Sequence, residues 1–255
     1  MILNTNKVTF QDIIGEAEIF KQQINIAKRA AAIDAPVLIT GETGTGKEMF
    51  AKAIHCQSAR SKEPYIAENC AAIPFTLAEG ILFGTQKGAF TQAISREGLF
   101  EYANGGTLLL DELNSMPVLM QAKILRCLQE HTVRRVGGSK DIPFDVRIMA
   151  TVNENINELL SGGRLRMDLY YRINVIRINI PPLRSHKEDI PLYVEHFLDE
   201  ANKTYNKYIS GFSFNAMKEL NNKDYPGNIR ELHNLVMGAV AMSSGVDIIR
   251  TKDLI

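Results

Sequence analysis

The chain has 255 residues, 45% of them hydrophobic and 23% charged, enough to bury the core of one large domain or of one domain with a small satellite. Lys+Arg and Asp+Glu both number 29, so overall charge gives no electrostatic case for a nucleic-acid or anionic-membrane surface. No apolar run approaches the roughly 20 residues of a membrane span, and Met1-Ile2-Leu3-Asn4 lacks the basic and apolar regions of a signal peptide. Cys56, Cys70 and Cys127 have no metal-ligand spacing and read as free thiols of a reducing compartment. A cytoplasmic protein without a membrane partner is expected.

Along the chain, Phe20, Ile24, Ala27 and Ala31 fall at helical spacing, and Asp34-Ala35-Pro36 ends that helix before an apolar strand, Val37–Thr40. Gly41-Glu42-Thr43-Gly44-Thr45-Gly46-Lys47 follows directly, and a helix is expected from Lys47. Further strand candidates are 64–70, 107–110, 146–151 and 175–180, with a helix over 117–130. This alternation predicts a mostly parallel sheet covered on both faces. After Pro181-Pro182 no strand pattern remains, and 187–201, 213–221 and 228–242 read as helices. The expected organisation is an α/β core over 1–181 and a small all-helical domain over 182–255. Two glycine-containing segments, 84–98 and 136–143, interrupt the rhythm as irregular excursions of the kind that carry function.

The glycine-rich run has the G-x-x-x-x-G-K form of a phosphate-binding loop, in which glycines let backbone N–H groups wrap a phosphate and the lysine reaches the β/γ oxygens. It implies a bound nucleoside triphosphate. Glu48 stands where a serine or threonine would hold Mg2+, so the metal must depend on the nucleotide and another acidic residue. Leu108-Leu109-Leu110-Asp111-Glu112 supplies one: a buried-strand pattern ending in two carboxylates, Asp111 for Mg2+, directly or through water, and Glu112 as general base. A solvated acidic pair at a strand end has the same local spelling. Arg166 and Arg172 could supply positive charge at the γ-phosphate, although basic residues beside a helix are ordinarily a solvated face.

Together, in order, these motifs resemble the central ATPase domain of the bacterial enhancer-binding proteins, the AAA+ activators of sigma-54 RNA polymerase. The resemblance runs from Phe10-Gln11-Asp12-Ile13-Ile14-Gly15 to Tyr225-Pro226-Gly227-Asn228-Ile229-Arg230-Glu231-Leu232, and Gly44-Thr45-Gly46-Lys47-Glu48 is its own spelling of the loop. It implies an AAA+ P-loop NTPase core with a helical lid, using ATP and Mg2+ in a hexameric ring, with nucleotide held between subunits. Arg166 and Arg172 match arginine fingers directed at the neighbouring subunit, and Arg230 matches the sensor arginine of the lid. Asn69 matches the asparagine that holds the catalytic glutamate idle, here Glu112. Asn153 matches the first sensor residue; the threonine of Ala150-Thr151-Val152-Asn153 stands one position early, so the resemblance selects Asn153 over Thr151. Gly88-Ala89-Phe90-Thr91-Gln92-Ala93 resembles the loop that grips sigma-54, with Gln92 in place of a glycine, and 136–143 corresponds to its companion loop.

The resemblance implies promoter opening driven by ATP hydrolysis. Gln92 favours an alternative, a nucleotide-switched assembly domain that does not productively engage sigma-54. A small-molecule kinase would share the phosphate loop but gives no reason for the Arg166/Arg172 pair. The family's regulatory and DNA-binding domains find no counterpart here, so the chain is expected to be a domain of a larger regulator, with DNA contacted only through a part absent from it. Asp111-Glu112-Leu113-Asn114-Ser115 also resembles activators of amino-acid catabolism in Gram-positive bacteria.

Overall fold

The computed structural model describes residues 8–89, 94–243 and 247–254. The chain divides into two compact units, one built on Ile26–Thr40 and Lys47–Asn179, the other on Gln11–Asn25, Gly41–Gly46 and Ile180–Ile255.

In the first unit, five strands form one parallel sheet: β1 (Val37–Thr40), β2 (Tyr65–Asn69), β3 (Thr107–Asp111), β6 (Arg147–Val152) and β7 (Ile176–Asn179), in spatial order β2-β3-β6-β1-β7. Every neighbouring pair is parallel. The β1 and β6 residues are buried without alternation, as are the first four of β3, which requires cover on both faces of the sheet. Helix α1 (Glu18–Ala31) precedes β1, and α2 (Lys47–Cys56) and α3 (Phe75–Phe83) flank β2 in sequence. The short α4 (Leu99–Tyr102) leads into β3, and α5 (Val118–Glu130), α6 (Ile156–Ser161) and α7 (Met167–Ile173) complete the unit. Leu108, Leu110, Ile148 and Ala150 of the sheet share a core with Met120, Ile124 and Leu128 of α5 and Leu169 and Ile173 of α7. Register places Asn69 beside Asp111, and Thr40 beside Val152 and Asn179, along the carboxyl ends of the strands. That is where open α/β sheets place their chemistry.

The two excursions are more ordered at their bases than the sequence suggests. The second ends in a strand: β4 (Thr132–Arg134) and β5 (Asp141–Pro143) pair antiparallel, with Arg134 and Asp141 as a bidentate cross-strand pair at 2.9 and 3.0 Å. The first closes on itself through Thr85 and Arg96, which exchange backbone hydrogen bonds of 2.8 and 2.9 Å. It also joins the second excursion, Gln86 N donating to Val136 O at 2.9 Å and Val136 N to Gly84 O at 3.0 Å. Gly137 then packs so tightly on Ala89 that an added Cβ would lie 2.6 Å from the alanine methyl.

In the second unit, α8 (Ile190–Tyr205), α9 (Phe214–Asn222) and α10 (Asn228–Met242) match the helices expected there. Leu183, Tyr193, Phe197, Leu220, Tyr225, Leu232 and Val236 form their common core. The expectation of no strand needs correction, because β8 (Gly211–Phe212) and β9 (Ile248–Ile249) make a two-residue parallel ladder. A ladder that short leaves no period-2 pattern to read. The segment before α1 also belongs here: the buried Asp189 carboxylate accepts Glu16 N at 2.7 Å and Ala17 N at 3.0 Å, and Tyr193 OH donates to Ile14 O at 2.6 Å.

Candidate active site

The glycines of the phosphate loop are required by geometry. Gly44 has φ +81°, and a Cβ there would sit 2.2 Å from the Gly227 carbonyl oxygen; Gly41, at φ +156°, would strike Ile180 O at 2.8 Å. Thr45, buried, turns its hydroxyl inward to Glu42 O at 2.8 Å. The buried Asn228 holds the top of the loop, donating from Nδ2 to Thr43 O at 3.0 Å and Glu42 Oε2 at 3.2 Å and accepting Leu183 N through Oδ1 at 2.9 Å. Glu42 is paired besides with Arg184. Arg230 lies exposed in the first turn of α10, its backbone N 3.4 Å from Gly44 O. Among the loop residues named from the sequence, Gly41, Glu42, Thr43, Gly44, Thr45 and Gly46 thus pack with Asn228 and Arg230 in one unit.

Lys47 and Glu48 open α2. Lys47 is buried, which for a lysine demands partners. Glu48 points outward and pairs with Lys52 one turn on at 2.8 Å, so the position that usually carries the metal-binding hydroxyl here carries a helix-surface ion pair.

At the carboxyl edge of the first unit's sheet, Asp111 ends β3 and Glu112 follows in the left-handed conformation, φ 53° and ψ 47°. A non-glycine residue there stores strain that its surroundings must hold. Thr151 of β6 holds it: its buried hydroxyl accepts Glu112 N at 2.8 Å and donates to Asp111 Oδ1 at 2.6 Å. One hydroxyl therefore orients the acidic side chain and fixes the turn that carries its neighbour. Asn69 caps the turn after β2, accepting Ala71 N at 2.8 Å, and its amide lies 3.4 Å from Asp111 Oδ2. The two hydrogen bonds of Asn69 thus fall on Asp111 and on its own strand end. Asn153 accepts Asn114 Nδ2 at 2.8 Å, and that amide also reaches Glu154 Oε1 at 2.8 Å.

No group of three or more His, Cys, Asp or Glu side chains that could hold a metal by themselves occurs among the described residues. Asp111 alone fits a Mg2+ ion that keeps several waters and takes its other ligands from phosphate oxygens.

Arg166 stands at the N-cap of α7 and Arg172 in its last turn, and both have partners within their own chain. Arg166 forms a bidentate pair with Asp168 at 3.0 and 2.7 Å, which holds the Asp168 carboxyl below the usual carboxylate range. Arg172, exposed, donates to Leu128 O at 2.7 Å. Of the proposed contact loop, Gly88 and Ala89 are described, whereas Phe90, Thr91, Gln92 and Ala93 lie outside the described residues. No helix among the described residues is long and apolar enough to cross a membrane.

Residues 13–179 match the model of the Sigma-54 interaction domain, and residues 184–255 that of the AAA+ ATPase lid domain. The chain is 50% identical over 232 residues to the transcriptional activator RocR of Bacillus subtilis, covering 91% of this chain and 50% of that protein. It is 48% identical over 235 residues to the regulatory protein AtoC of Escherichia coli, covering 91% and 51%. It therefore spans about half the length of these relatives. Among solved structures, NtrX from Brucella abortus in complex with ATP superposes with a TM-score of 0.88 at 33% identity, over 95% of this chain and 54% of that one. A RuvB mutant from Thermotoga maritima, 14% identical with a TM-score of 0.61, shares the fold.

Proposed function

Because the chain belongs to the Sigma-54 interaction domain family of AAA+ P-loop NTPases, we propose that it is a ring-forming ATPase whose hydrolysis cycle remodels sigma-54 RNA polymerase to open promoters. The observation that carries this reading is the acidic edge of the sheet, where one buried hydroxyl orients Asp111 and pins the strained turn of Glu112. Strain maintained by a dedicated hydrogen bond is characteristic of a site held ready for chemistry.

In this mechanism the backbone N–H groups of residues 41–46 and the Lys47 ammonium bind the triphosphate. Glu112 takes a proton from the attacking water as it approaches the γ-phosphorus. Asp111 would hold Mg2+, which when bound would neutralise charge on the β- and γ-oxygens. Arg166 and Arg172 of a neighbouring subunit supply charge stabilisation in trans, exchanging Asp168 and the Leu128 carbonyl for phosphate oxygens; Arg230 senses the nucleotide from its own subunit. Asn69 and Asn153 tie the γ-phosphate state to the acidic edge. Residues 88–93 transmit it to sigma-54. The NtrX complex with ATP supports nucleotide binding by relationship. A ring of six, cytoplasmic location, and DNA contact through another part of a longer regulator complete the reading.

Glu112→Gln tests it: the amide cannot accept the proton, so nucleotide binding stays near wild type while turnover falls by at least about 100-fold, whereas Lys47→Ala loses binding itself. Near-normal turnover in Glu112→Gln overturns the assigned base. The Gln92 spelling favours the second reading, a nucleotide-dependent assembly switch; that reading predicts nucleotide-dependent oligomers without promoter opening.

A further inference from the structure

Glu42 is chemically out of place. It is the second residue of a loop whose backbone N–H groups are arranged for a polyanion, and a carboxylate there opposes the charge the loop is built to bind. The structure supplies a matched counter-charge. Arg184 lies in the single turn Leu183–Ser185 and meets Glu42 in fork geometry, Nη1 to Oε2 at 2.7 Å and Nη2 to Oε1 at 2.5 Å. The buried Asn228 adds its amide to Oε2 at 3.2 Å and, through Oδ1, fixes Leu183, the residue before Arg184, at 2.9 Å. Glu42, Arg184, Leu183 and Asn228 therefore form a closed circuit within one compact unit, with both carboxylate oxygens engaged.

We infer that Arg184 is a positioning residue for nucleotide binding: it neutralises the Glu42 carboxylate and turns it away from the triphosphate, so that the loop presents only N–H groups and Lys47 to the ligand. The inference rests on the nucleotide reading above. A bidentate guanidinium does this better than an ammonium, because it occupies both carboxylate oxygens at once and fixes their plane. The circuit also gives the lid a direct hold on the phosphate loop through Asn228. Arg184 need not touch phosphate at all, which separates it from a sensor arginine.

The test is titration of fluorescent N-methylanthraniloyl ATP and ADP, with Mg2+, into the wild-type 255-residue chain, Arg184→Ala, Arg184→Lys, Glu42→Gln and the double variant Glu42→Gln/Arg184→Ala. Releasing the Glu42 charge should weaken ATP binding about tenfold in Arg184→Ala, and ADP, with one fewer phosphate, about threefold, with Arg184→Lys in between. The double variant should return to within about threefold of wild type, because no carboxylate remains to be neutralised. Glu42→Gln alone is the reference for the double variant: with no carboxylate left to neutralise, removing Arg184 from it should cost less than about threefold in ATP affinity, and a tenfold loss there overturns the inference. Unchanged affinity in Arg184→Ala overturns the inference. So does a double variant as weak as Arg184→Ala, which would mean that Arg184 contacts phosphate itself or only supports the fold. Wild-type protein that binds neither nucleotide overturns the nucleotide reading and this inference with it; wild-type binding with an unmoved Arg184→Ala overturns this inference alone.

Discussion

Thr151→Val removes one oxygen from the acidic edge and almost nothing else. Valine keeps the β-branched shape in a fully buried strand position, so no cavity opens. Two hydrogen bonds are lost, that to Asp111 at 2.6 Å and that from Glu112 N at 2.8 Å. A hydrogen bond to a charged group is worth about 1.5–3 kcal/mol, and leaving a buried N–H unpaired costs about 1–3 kcal/mol. The two are coupled through one hydroxyl and the edge is partly solvated, so a combined loss of about 2–3 kcal/mol is expected. At about 2–4 °C per kcal/mol for a chain of this size, the melting temperature should fall by roughly 5–10 °C. Because the left-handed turn at Glu112 loses its anchor, kcat should drop ten- to hundredfold with KM changed little, as for a misplaced catalytic group. Thr151→Ser restores the hydroxyl and should recover most of both losses. Circular-dichroism melting and steady-state ATPase assays read the two effects. A valine variant that melts within about 1 °C of wild type and turns over normally refutes the role of this hydroxyl, as does a serine variant as impaired as the valine.

Two further outcomes follow from individual residues. Gln92→Gly puts a glycine into the proposed sigma-54 contact loop; with sigma-54 polymerase and a supercoiled promoter it should leave ATPase turnover unchanged and raise open-complex formation, whereas equal promoter opening in both proteins would remove Gln92 as a determinant. His55, buried beside Tyr65 with Nδ1 2.9 Å from Thr107 Oγ1, has its pKa lowered by burial first and by the Arg147 charge second. The unfolded chain therefore takes up a proton near its ordinary pKa of about 6.5 before the folded chain does, so the folded state loses stability as pH falls below that value. Denaturant melts at pH 7.5 and 5.5 should show a steeper loss in wild type than in His55→Gln, and equal slopes would contradict the assignment.

The sheet was legible because its strands are short apolar runs bounded by turn residues: 107–110 against Thr107–Asp111, 175–180 against Ile176–Asn179, and Val37–Thr40 without change. The longest helices were equally plain, as in 228–242 against Asn228–Met242, whereas the nine-residue α3, Phe75–Phe83, was not among the helices expected. The β4–β5 hairpin and the β8–β9 ladder escaped because strands of two or three residues are too short to carry a periodicity.

At the candidate site, the residues that would meet ligand were spelled out in motifs, whereas those that hold the motifs were not. Family spelling places a threonine one position later and so selects Asn153 over Thr151; the parallel pairing of β6 with β3 brings the Thr151 hydroxyl to Asp111 and Glu112. Asn228 lies inside the 225–232 motif, but its positive φ of 53° and the carbonyl it serves depend on long-range packing. The pairing of Arg184 with Glu42, 142 residues apart, has no local signature. A charged residue inside a phosphate loop was the one available signal that a distant partner should exist.

If hydrolysis needs residues from two subunits, as proposed, two inactive variants should complement each other when mixed. Glu112→Gln lacks the base but keeps its arginines; Arg172→Ala lacks the arginine but keeps its base. Measured separately, each should show little ATPase activity. Combined in equal amounts at a concentration that supports assembly, they should regain a substantial fraction of wild-type turnover, because some sites pair an intact Glu112 with an intact Arg172 from the neighbour. A mixture no more active than its components, from variants that still assemble with each other, would contradict a shared site.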